Sequence, residues 1–162
     1  MILIMKKKLD KFDMGILNAL QKDCRISCKK IGVQIGLSET PVQIRIQHMI
    51  EDGYIKRFTA ILDAKKVGYG LIGYVQVKLV EHTEESLTNF MTEAVKLNEV
   101  KECYHMSGAY DFLMRVAISD MDEYSQILLK KLAKLPGKPH FESFFVMSEG
   151  KCDTGYILAN KT

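Results

Sequence analysis

The side chains with the clearest chemical potential lie between residues 38 and 49. Gln43 and Gln47 are one helical turn apart, and each carries an amide that can hydrogen-bond to the edge of an adenine base. Ser38 and Thr40 precede them where a helix would begin, and the hydroxyl and backbone N–H groups of a helix N-terminus suit phosphate oxygens. This combination predicts a surface that contacts nucleic acid, provided that the surrounding chain holds a helix.

The flanking sequence supplies the elements that would hold this helix. The apolar positions of residues 27–53 fit two short helices, with Gly36 at a tight turn between them, Ser38 as N-cap and Pro41 in the next first turn. Gly53 follows as the residue that ends the second helix. This is the pattern of a helix-turn-helix, whose second helix enters the DNA major groove. The predicted inward-facing residues are Ile31, Ile35, Leu37, Val42, Ile46 and Met49.

The outward face of the second helix is the predicted DNA interface. Arg45 lies nearer the core side, so we expect it to brace the fold and touch a phosphate instead of reading bases. Residues 1–60 hold 11 Lys/Arg against 6 Asp/Glu, whereas residues 61–162 hold 12 against 14, so basic charge is concentrated on this half. Lysines here are candidates to neutralise phosphates, although a solvated lysine run is the alternative. The predicted DNA-contacting residues are Ser38, Glu39, Thr40, Gln43, Ile44, Arg45, Gln47, His48 and Lys29, with Lys6, Lys7, Lys8 and Lys30 as further phosphate candidates.

The amino-acid composition limits the classes of protein to which this chain can belong. The 162 residues are 47% hydrophobic and 27% charged, which is typical of a globular chain with a water-soluble surface. The four cysteines show no CxxC pair and no zinc-finger spacing with histidine, so we expect reduced thiols and no metal site, with a redox or ligand role for Cys24 and Cys28 as the alternative. No signal peptide or membrane span is expected, and the predicted location is the cytoplasm.

The periodicity divides the chain into three parts. Residues 1–56 read as three helices, residues 57–70 as a short strand (57–62) and a hinge, and residues 71–162 as a βαββαβ unit. The fold class is therefore α+β, with a ferredoxin-like second domain. The predicted strands of that domain are residues 71–80, 100–106, 111–118 and 141–148, and its helices are residues 83–97 and a segment from Ser119, with Asp122 as capping-box partner, to Pro136.

Both faces of the predicted sheet are apolar. The helices cover one face, so an apolar second face predicts a partner sheet from a second copy of the chain, related by twofold symmetry. Scattered surface hydrophobics are the alternative. A homodimer would also suit DNA binding, because two reading heads can engage a pseudo-palindromic site. The residues of this second face are Ile72, Tyr74, Val80, Leu113, Ala117, Phe144 and Val146.

The order of these parts resembles the Lrp/AsnC family of feast/famine transcription regulators. The resemblance implies a C-terminal domain of the ACT-like (RAM) type, dimers built through the C-terminal sheets, and further assembly into octamers. It also implies an amino-acid effector bound between dimers, with no other cofactor. The matching fragments are Leu9-Asp10, Asp13, Ile16-Leu17, Leu37-Ser38, Arg45, Gly53, Leu62-Asp63, Gly68 and Gly108-Ala109-Tyr110-Asp111.

The resemblance implies that the effector binds near the turn formed by residues 107–111. A tight glycine-containing turn exposes backbone N–H groups that can receive a carboxylate, and Asp111 could attract an α-ammonium group. Tyr104 and Met106 could wall a side-chain pocket. The alternative is a hairpin turn in which Gly108 only supplies a positive φ. The predicted effector-binding residues are Tyr104, Met106, Ser107, Gly108, Ala109, Tyr110 and Asp111.

Some positions depart from the family pattern. Ile44 stands where many relatives have a basic residue, and Ile50 stands where they have an acidic one. We therefore expect the preferred DNA sequence of this protein to differ from that of its relatives. Gly32 stands where relatives usually have alanine. We expect this glycine to destabilise the helix by about 1 kcal/mol, because glycine has a lower helix propensity than alanine.

The leading hypothesis is a transcription regulator tuned by an amino acid, and not an enzyme. One alternative is a sirohaem-type tetrapyrrole decarboxylase on the same two-domain plan, in which His105 and Tyr110 would serve a tetrapyrrole carboxylate. The sequence shows no nucleophile–base pair and no paired carboxylates for that chemistry. The other alternative is an architectural DNA-wrapping protein without a small ligand.

Overall fold

The computed structural model describes residues 8–152 and 155–158, which divide between two compact units. The first unit contains residues 8–61 together with the described residues after 150, and the second contains residues 62–150. The predicted split placed residues 71–162 together. The difference arises at residues 155–158, because Asn18 donates to the carbonyl of Leu158 and Gln21 bonds to both the N–H and the carbonyl of Tyr156.

The first unit consists of three helices, α1 (Lys11–Lys22), α2 (Cys28–Ile35) and α3 (Glu39–Glu51). Helix α1 begins with a reciprocal capping box: the Asp10 carboxylate accepts from the Asp13 N–H at 2.9 Å, and the Asp13 carboxylate accepts from the Asp10 N–H at 3.0 Å. The three helices then bury one apolar cluster between them. Its fully buried members are Ile16, Ile31, Val42 and Met49, with Ala19 at the edge.

The turn between α2 and α3 is tight because two glycines permit it. Gly36 takes a left-handed conformation with φ +75°, and the Leu37 N–H donates to the Gly32 carbonyl at 2.9 Å. A Cβ at Gly32 would lie well inside van der Waals contact with the Leu37 carbonyl oxygen. Ser38 is the N-cap of α3 by its backbone, although its side chain makes no capping bond. Gly53, with φ +75°, follows the end of α3 as expected.

The second unit is an antiparallel sheet with two helices on one face. Its strands are β1 (Leu71–Lys78), β2 (Val100–His105), β3 (Phe112–Ile118) and β4 (His140–Phe145), in the order β2-β3-β1-β4. The helices are α4 (Glu84–Ala94) and α5 (Met121–Lys130), and short 3₁₀ turns occupy Lys65–Val67 and Leu132–Lys134. The predicted α+β class and βαββαβ order are confirmed. The fully buried residues that join sheet and helices include Val75, Val77, Phe90, Phe112, Met114 and Leu132.

Some local predictions were wrong. Residues 57–62 pair with no strand in the described part of the chain, and the side chains of Phe58 and Ile61 are exposed. Helix α5 begins one residue later than expected, since Asp120 is its N-cap and the Glu123 carboxylate, not Asp122, accepts the Ser119 N–H at 2.6 Å. The helix also ends at Lys130, before the predicted Pro136.

None of the helices in the described part of the chain is long and apolar enough to cross a membrane. No cluster of three or more His, Cys, Asp or Glu side chains suited to a metal ion occurs in residues 8–152 and 155–158. All four cysteines are free thiols.

Candidate functional site

The outer surface of α3 presents the predicted reading residues to solvent. Val42 and Met49 are buried against the other two helices, which turns the opposite side of α3 outward. The Ile44 side chain is 51% exposed. The exposed residues of this surface are Ser38, Glu39, Thr40, Gln43, Ile44, Gln47 and His48, as the spacing predicts.

The two glutamines of this surface differ in how many of their hydrogen-bonding groups remain unpaired. Gln47 Nε2 donates to Glu51 Oε1 at 2.8 Å, which leaves the Gln47 carbonyl oxygen as its free acceptor. The Gln43 amide makes no hydrogen bond within the described chain. Gln43 can therefore present both a donor and an acceptor, whereas Gln47 presents mainly an acceptor. An apolar depression of about 360 Å³ lies beside them, and it is lined by Cys28, Gln43, Ile44, Ile46 and Gln47.

Arg45 braces the three-helix unit. Its Nη1 lies 2.7 Å from Asp13 Oδ1 and 2.8 Å from Asp10 Oδ2, and its side chain is 29% exposed. The hydrogen bond to the Asp13 carboxylate is the main reason that the pKa of Arg45 is raised. The guanidinium also lies over the ring of Phe12, 5.5 Å from its centroid. These contacts tie α3 to the start of α1, as expected for a bracing residue, and they largely compensate the charge of Arg45 from within the chain.

The predicted phosphate-contacting lysines fall into two groups. Lys29 and Lys30 are exposed in the first turn of α2, at the end of that helix away from the turn to α3. Lys8 is exposed just before α1, whereas Lys6 and Lys7 lie outside the described residues.

The β2–β3 hairpin forms the predicted effector turn. It closes with a hydrogen bond from the Met106 N–H to the Asp111 carbonyl at 2.8 Å, and Gly108 has φ +127°. Ser107, Gly108 and Ala109 are exposed at its tip. Tyr104 and Met106, half exposed, precede the turn, and the Tyr104 hydroxyl donates to a Glu102 carboxylate oxygen at 3.0 Å. That hydrogen bond raises the pKa of Tyr104.

Asp111 is engaged by its own chain. Its Oδ2 accepts the Leu79 N–H at 2.7 Å, its Oδ1 lies 3.2 Å from His82 Nδ1, and its side chain is 13% exposed. The predicted attraction of an α-ammonium group to Asp111 would have to compete with these two contacts. The carboxylate instead fixes the segment that follows β1.

His105 and Tyr110, the pair considered for a tetrapyrrole carboxylate, are not brought together. The Tyr110 hydroxyl donates to the carboxylate of Glu142, which raises the pKa of Tyr110. Glu142 pairs with Gln76 on the sheet face away from the helices. The His105 ring instead stacks near Phe112, with centroids 5.2 Å apart, on the helix side of the sheet.

The sheet face away from the helices carries a band of apolar side chains. Tyr74 is flanked by Phe144 on β4 and by Arg115 on β3, and Tyr104 is paired with Leu113. Phe144 is 49% and Tyr104 51% exposed, a large apolar exposure for strand residues. The register confirms that the residues predicted for this face within the strands share it.

Sequence reasoning missed one feature of the second unit. An open depression of about 330 Å³ lies between α4 and the end of the β2–β3 hairpin, opposite the face that carries Tyr104. The lining residues on α4 recur at the spacing of one helix face, and polar residues interrupt the apolar ones on that face. This pattern was the signal in the sequence that could have indicated the depression. The lining residues are Glu84, Leu87, Thr88, Met91, His105 and Phe112.

Comparison with known proteins assigns the two units. Residues 9–56 match the family described as a winged helix-turn-helix DNA-binding domain, and residues 72–156 match the Lrp/AsnC ligand binding domain. The chain belongs to the Lrp/AsnC family of transcription regulators. Its helical unit is thus the DNA-binding domain of an Lrp/AsnC regulator, and its sheet unit is the ligand-binding domain.

Relatives align along almost the whole chain. The proline dehydrogenase transcriptional activator of Rhizobium radiobacter is 39% identical over 147 residues, covering 91% of this chain and 94% of the relative. The leucine-responsive regulatory protein of Escherichia coli K12 is 35% identical over 155 residues, covering 96% and 94%. Each alignment thus spans almost the whole of both proteins.

Solved structures agree with the fold. An AsnC family transcriptional regulator from Agrobacterium tumefaciens superposes with a TM-score of 0.85 at 34% identity, over 92% of this chain and 97% of that one. A Neisseria meningitidis transcriptional regulator in complex with L-methionine gives a TM-score of 0.86 at 27% identity, over 93% and 97%. The Lrp/AsnC architecture therefore extends over both units.

Proposed function

We propose that this regulator binds a pseudo-palindromic DNA site as a homodimer, with α3 in the major groove, and that an amino acid tunes its binding or assembly. The observation that carries the proposal is the exposed row of α3, which presents an unpaired glutamine amide on a rigid, braced helix. A recognition helix needs this rigidity, because base discrimination depends on bidentate geometry.

We assign different roles to the residues of the proposed DNA interface, which is the exposed side of α3 together with Lys29. Gln43 offers the donor–acceptor pair that suits an adenine edge, and Ile44 offers an apolar surface for a thymine methyl group. Ser38 and Thr40 at the start of α3 suit phosphate oxygens, as does Lys29 on α2. Arg45 contributes indirectly, by holding α3 in place through its ion pairs with Asp10 and Asp13. Glu39, Gln47 and His48 lie on the same exposed surface and complete the assigned interface.

The open sheet face supports the proposed homodimer. Phe144 and Tyr74 lie side by side there, and a second copy related by twofold symmetry would bury both pairs at once. Association of dimers into an octamer is the further assembly that we propose from the family resemblance.

The proposed effector is an amino acid. The Neisseria relative is a complex with L-methionine and the Escherichia coli relative is named for its response to leucine, so amino acids with apolar side chains are the first candidates. Backbone N–H groups of the turn at residues 107–111, including Ala109 and Tyr110, suit the carboxylate, and Tyr104 and Met106 suit the side chain. We further propose a cytoplasmic regulator that acts without catalysis.

The test is DNA binding by fluorescence anisotropy on a duplex from the promoter region of its own gene. We expect affinity to fall steeply with salt, because neutralised phosphates release counterions. Gln43→Ala should weaken specific binding by about tenfold and leave binding to random DNA unchanged. Gln126→Ala, which changes an exposed glutamine on α5, is the matched control.

A flat salt response, or equal losses for Gln43→Ala and Gln126→Ala, would contradict the proposed reading head. The same assay with added amino acids separates an effector-tuned regulator from an architectural protein, whose affinity and oligomeric state would not respond.

A further inference from the structure

An apolar depression of about 360 Å³ lies between the start of α2 and the outer side of α3. The side chains that line it are Cys28, Gln43, Ile44, Ile46 and Gln47. All five are uncharged, so the depression lacks the lysine or arginine that suits a phosphate group. Since the exposed row of α3 forms one side of it, the depression opens on the proposed DNA interface.

The floor of the depression is anchored in the helical unit. Cys28 and Ile46 are partly buried, and both pack against the apolar cluster that the three helices bury between them. A partly buried thiol of this kind behaves as a small apolar group. The Ser27 hydroxyl also accepts the Lys30 N–H at 3.3 Å, which caps α2 at the end that carries Cys28. The depression is therefore formed by two helices that are held together by the core.

The rim of the depression combines an apolar side chain with amide groups. Ile44 contributes the apolar edge, and half of its side chain is exposed. Gln43 lies beside it with an amide that makes no hydrogen bond within the described chain, whereas Gln47 donates to Glu51 and keeps its carbonyl oxygen as an acceptor. An occupant that matches this rim must present an apolar group close to hydrogen-bonding groups.

The base edges of the DNA major groove offer one group that meets this requirement. Among the four bases only thymine presents a methyl group there, on C5, and the N6 and N7 atoms of its paired adenine lie in the same base pair. Cytosine and guanine offer no methyl group, and their amino and carbonyl groups would lose hydration against isoleucine without gaining a hydrogen bond. Thymine is therefore the base that fits the depression.

We propose that the depression binds the C5-methyl group of one thymine in each half-site, next to the adenine edge that Gln43 contacts. Ile44 and Ile46 remove the methyl group from water, and Cys28 completes the apolar wall. Recognition then depends on the methyl group itself, and not on the hydrogen-bonding groups that thymine shares with uracil. The inference rests on the proposed function, because the methyl group is reached only if α3 lies in the major groove.

The test replaces thymine by deoxyuridine, one position at a time, in the promoter duplex used for fluorescence anisotropy with the full chain. Deoxyuridine keeps the hydrogen-bonding groups of thymine and lacks only the methyl group. We expect one thymine position in each half-site at which this replacement lowers the affinity of wild type about fourfold, the effect of one buried methyl group. Replacement of a thymine outside the bound site should leave the affinity unchanged.

Two variants connect this effect to the depression. Ile44→Ser removes the apolar edge at an exposed position, where substitutions change stability little, and it should bind the thymine and deoxyuridine duplexes equally. Val33→Ser is the matched control, since it makes the same kind of change at an 80% exposed residue of α2 that does not line the depression. It should retain the fourfold preference for thymine.

The outcomes separate the methyl site from the proposed function. If wild type binds its site specifically but responds to no deoxyuridine replacement, the methyl site is overturned while the proposed DNA binding stands. The same conclusion holds if Ile44→Ser keeps the preference for thymine, because an effect of deoxyuridine on DNA shape would persist in that variant, or if Val33→Ser loses the preference as well. If wild type binds its site no more tightly than random DNA, both the methyl site and the proposed function are overturned.

Discussion

At the scale of single residues, Arg45 shows how one side chain can fix the position of a helix. It lies on α3, and its guanidinium is held by Asp10 and Asp13 at the start of α1. The nearly buried Asp13 carboxylate depends on this partner, because an unpaired buried charge is strongly destabilising. The position of α3 on the helical unit is therefore fixed partly by electrostatics.

We expect Arg45→Met to destabilise the helical unit by about 2–3 kcal/mol, since it leaves Asp13 without its cation. Urea unfolding measures this loss. Arg25→Met, at a side chain that is 91% exposed beside Asp23, is the control and should change stability by less than about 0.5 kcal/mol. A stable Arg45→Met variant whose DNA binding has a reduced salt slope would show instead that Arg45 contacts phosphate.

Asp10 should make part of this stability depend on pH. Desolvation would raise the pKa of Asp10, but hydrogen bonds from the Asp13 N–H and the Arg45 guanidinium outweigh it, and the pKa is lowered from the ordinary 3.8. A carboxylate with a lowered pKa stabilises the fold above its unfolded pKa and loses that effect as pH falls through the folded value.

Asp10→Asn keeps a good N-cap residue and removes only the charge. We expect the variant to be less stable than wild type by about 0.5–1 kcal/mol at pH 7, with the difference shrinking as pH falls below about 3.8. Urea unfolding at a series of pH values measures this difference in the free energy of unfolding. For the control variant Asp23→Asn, the difference from wild type should be the same at every pH. A difference that stays constant down to pH 2 would contradict the expected linkage.

At the scale of elements, the helix-turn-helix turn depends on close backbone approach. Helix propensity alone suggests that alanine would be better than Gly32 in α2. The structure reverses this expectation, because a Cβ there would overlap the Leu37 carbonyl oxygen, which belongs to the rigid turn. Gly32 is thus a packing requirement of this turn.

We expect Gly32→Ala to destabilise the helical unit by about 1–3 kcal/mol despite its better propensity. Thermal unfolding compares it with Gln34→Ala, which also adds an alanine to α2 but at an exposed position, and which should be neutral or slightly stabilising. Stabilisation by Gly32→Ala would mean that the turn relaxes without strain.

At the scale of the whole molecule, the open sheet face is the surface through which we propose that two copies of the chain associate. Monomeric proteins rarely leave a band of aromatic side chains such as Tyr74, Tyr104 and Phe144 in water. The proposed twofold partner would cover this face and give the regulator two reading heads for a symmetric site.

We expect Phe144→Glu to convert a dimer to a monomer, because it places a charge without a partner in the proposed interface. Sedimentation velocity measures the change. Met147→Glu is the control, since this side chain is 95% exposed beyond β4 and should leave the oligomeric state unaltered. A Phe144→Glu protein that still sediments as a dimer would assign the interface to another surface.

Spacing in the sequence determined which elements form and which way their side chains face. The three helices, the four strands of the sheet, the outward row around Gln43 and the glycine turns follow from local rules, because helices and strands repeat at fixed periods and turns need positive φ. The ends of elements were less well determined. The sequence predicted that Ser119 opens α5 with Asp122 as its capping-box partner, whereas Asp120 is the N-cap and its side chain accepts from the Glu123 N–H.

Tertiary structure decided which atoms meet across the chain. Arg45 finds its partners 32 and 35 residues away, and Asp111 finds Leu79 at a separation of 32. The depression beside α4 joins one face of that helix to His105 and Phe112, so it exists only after the sheet has formed. Periodicity assigns a side chain to a face, whereas its partner depends on strand order and helix placement, which no local pattern encodes.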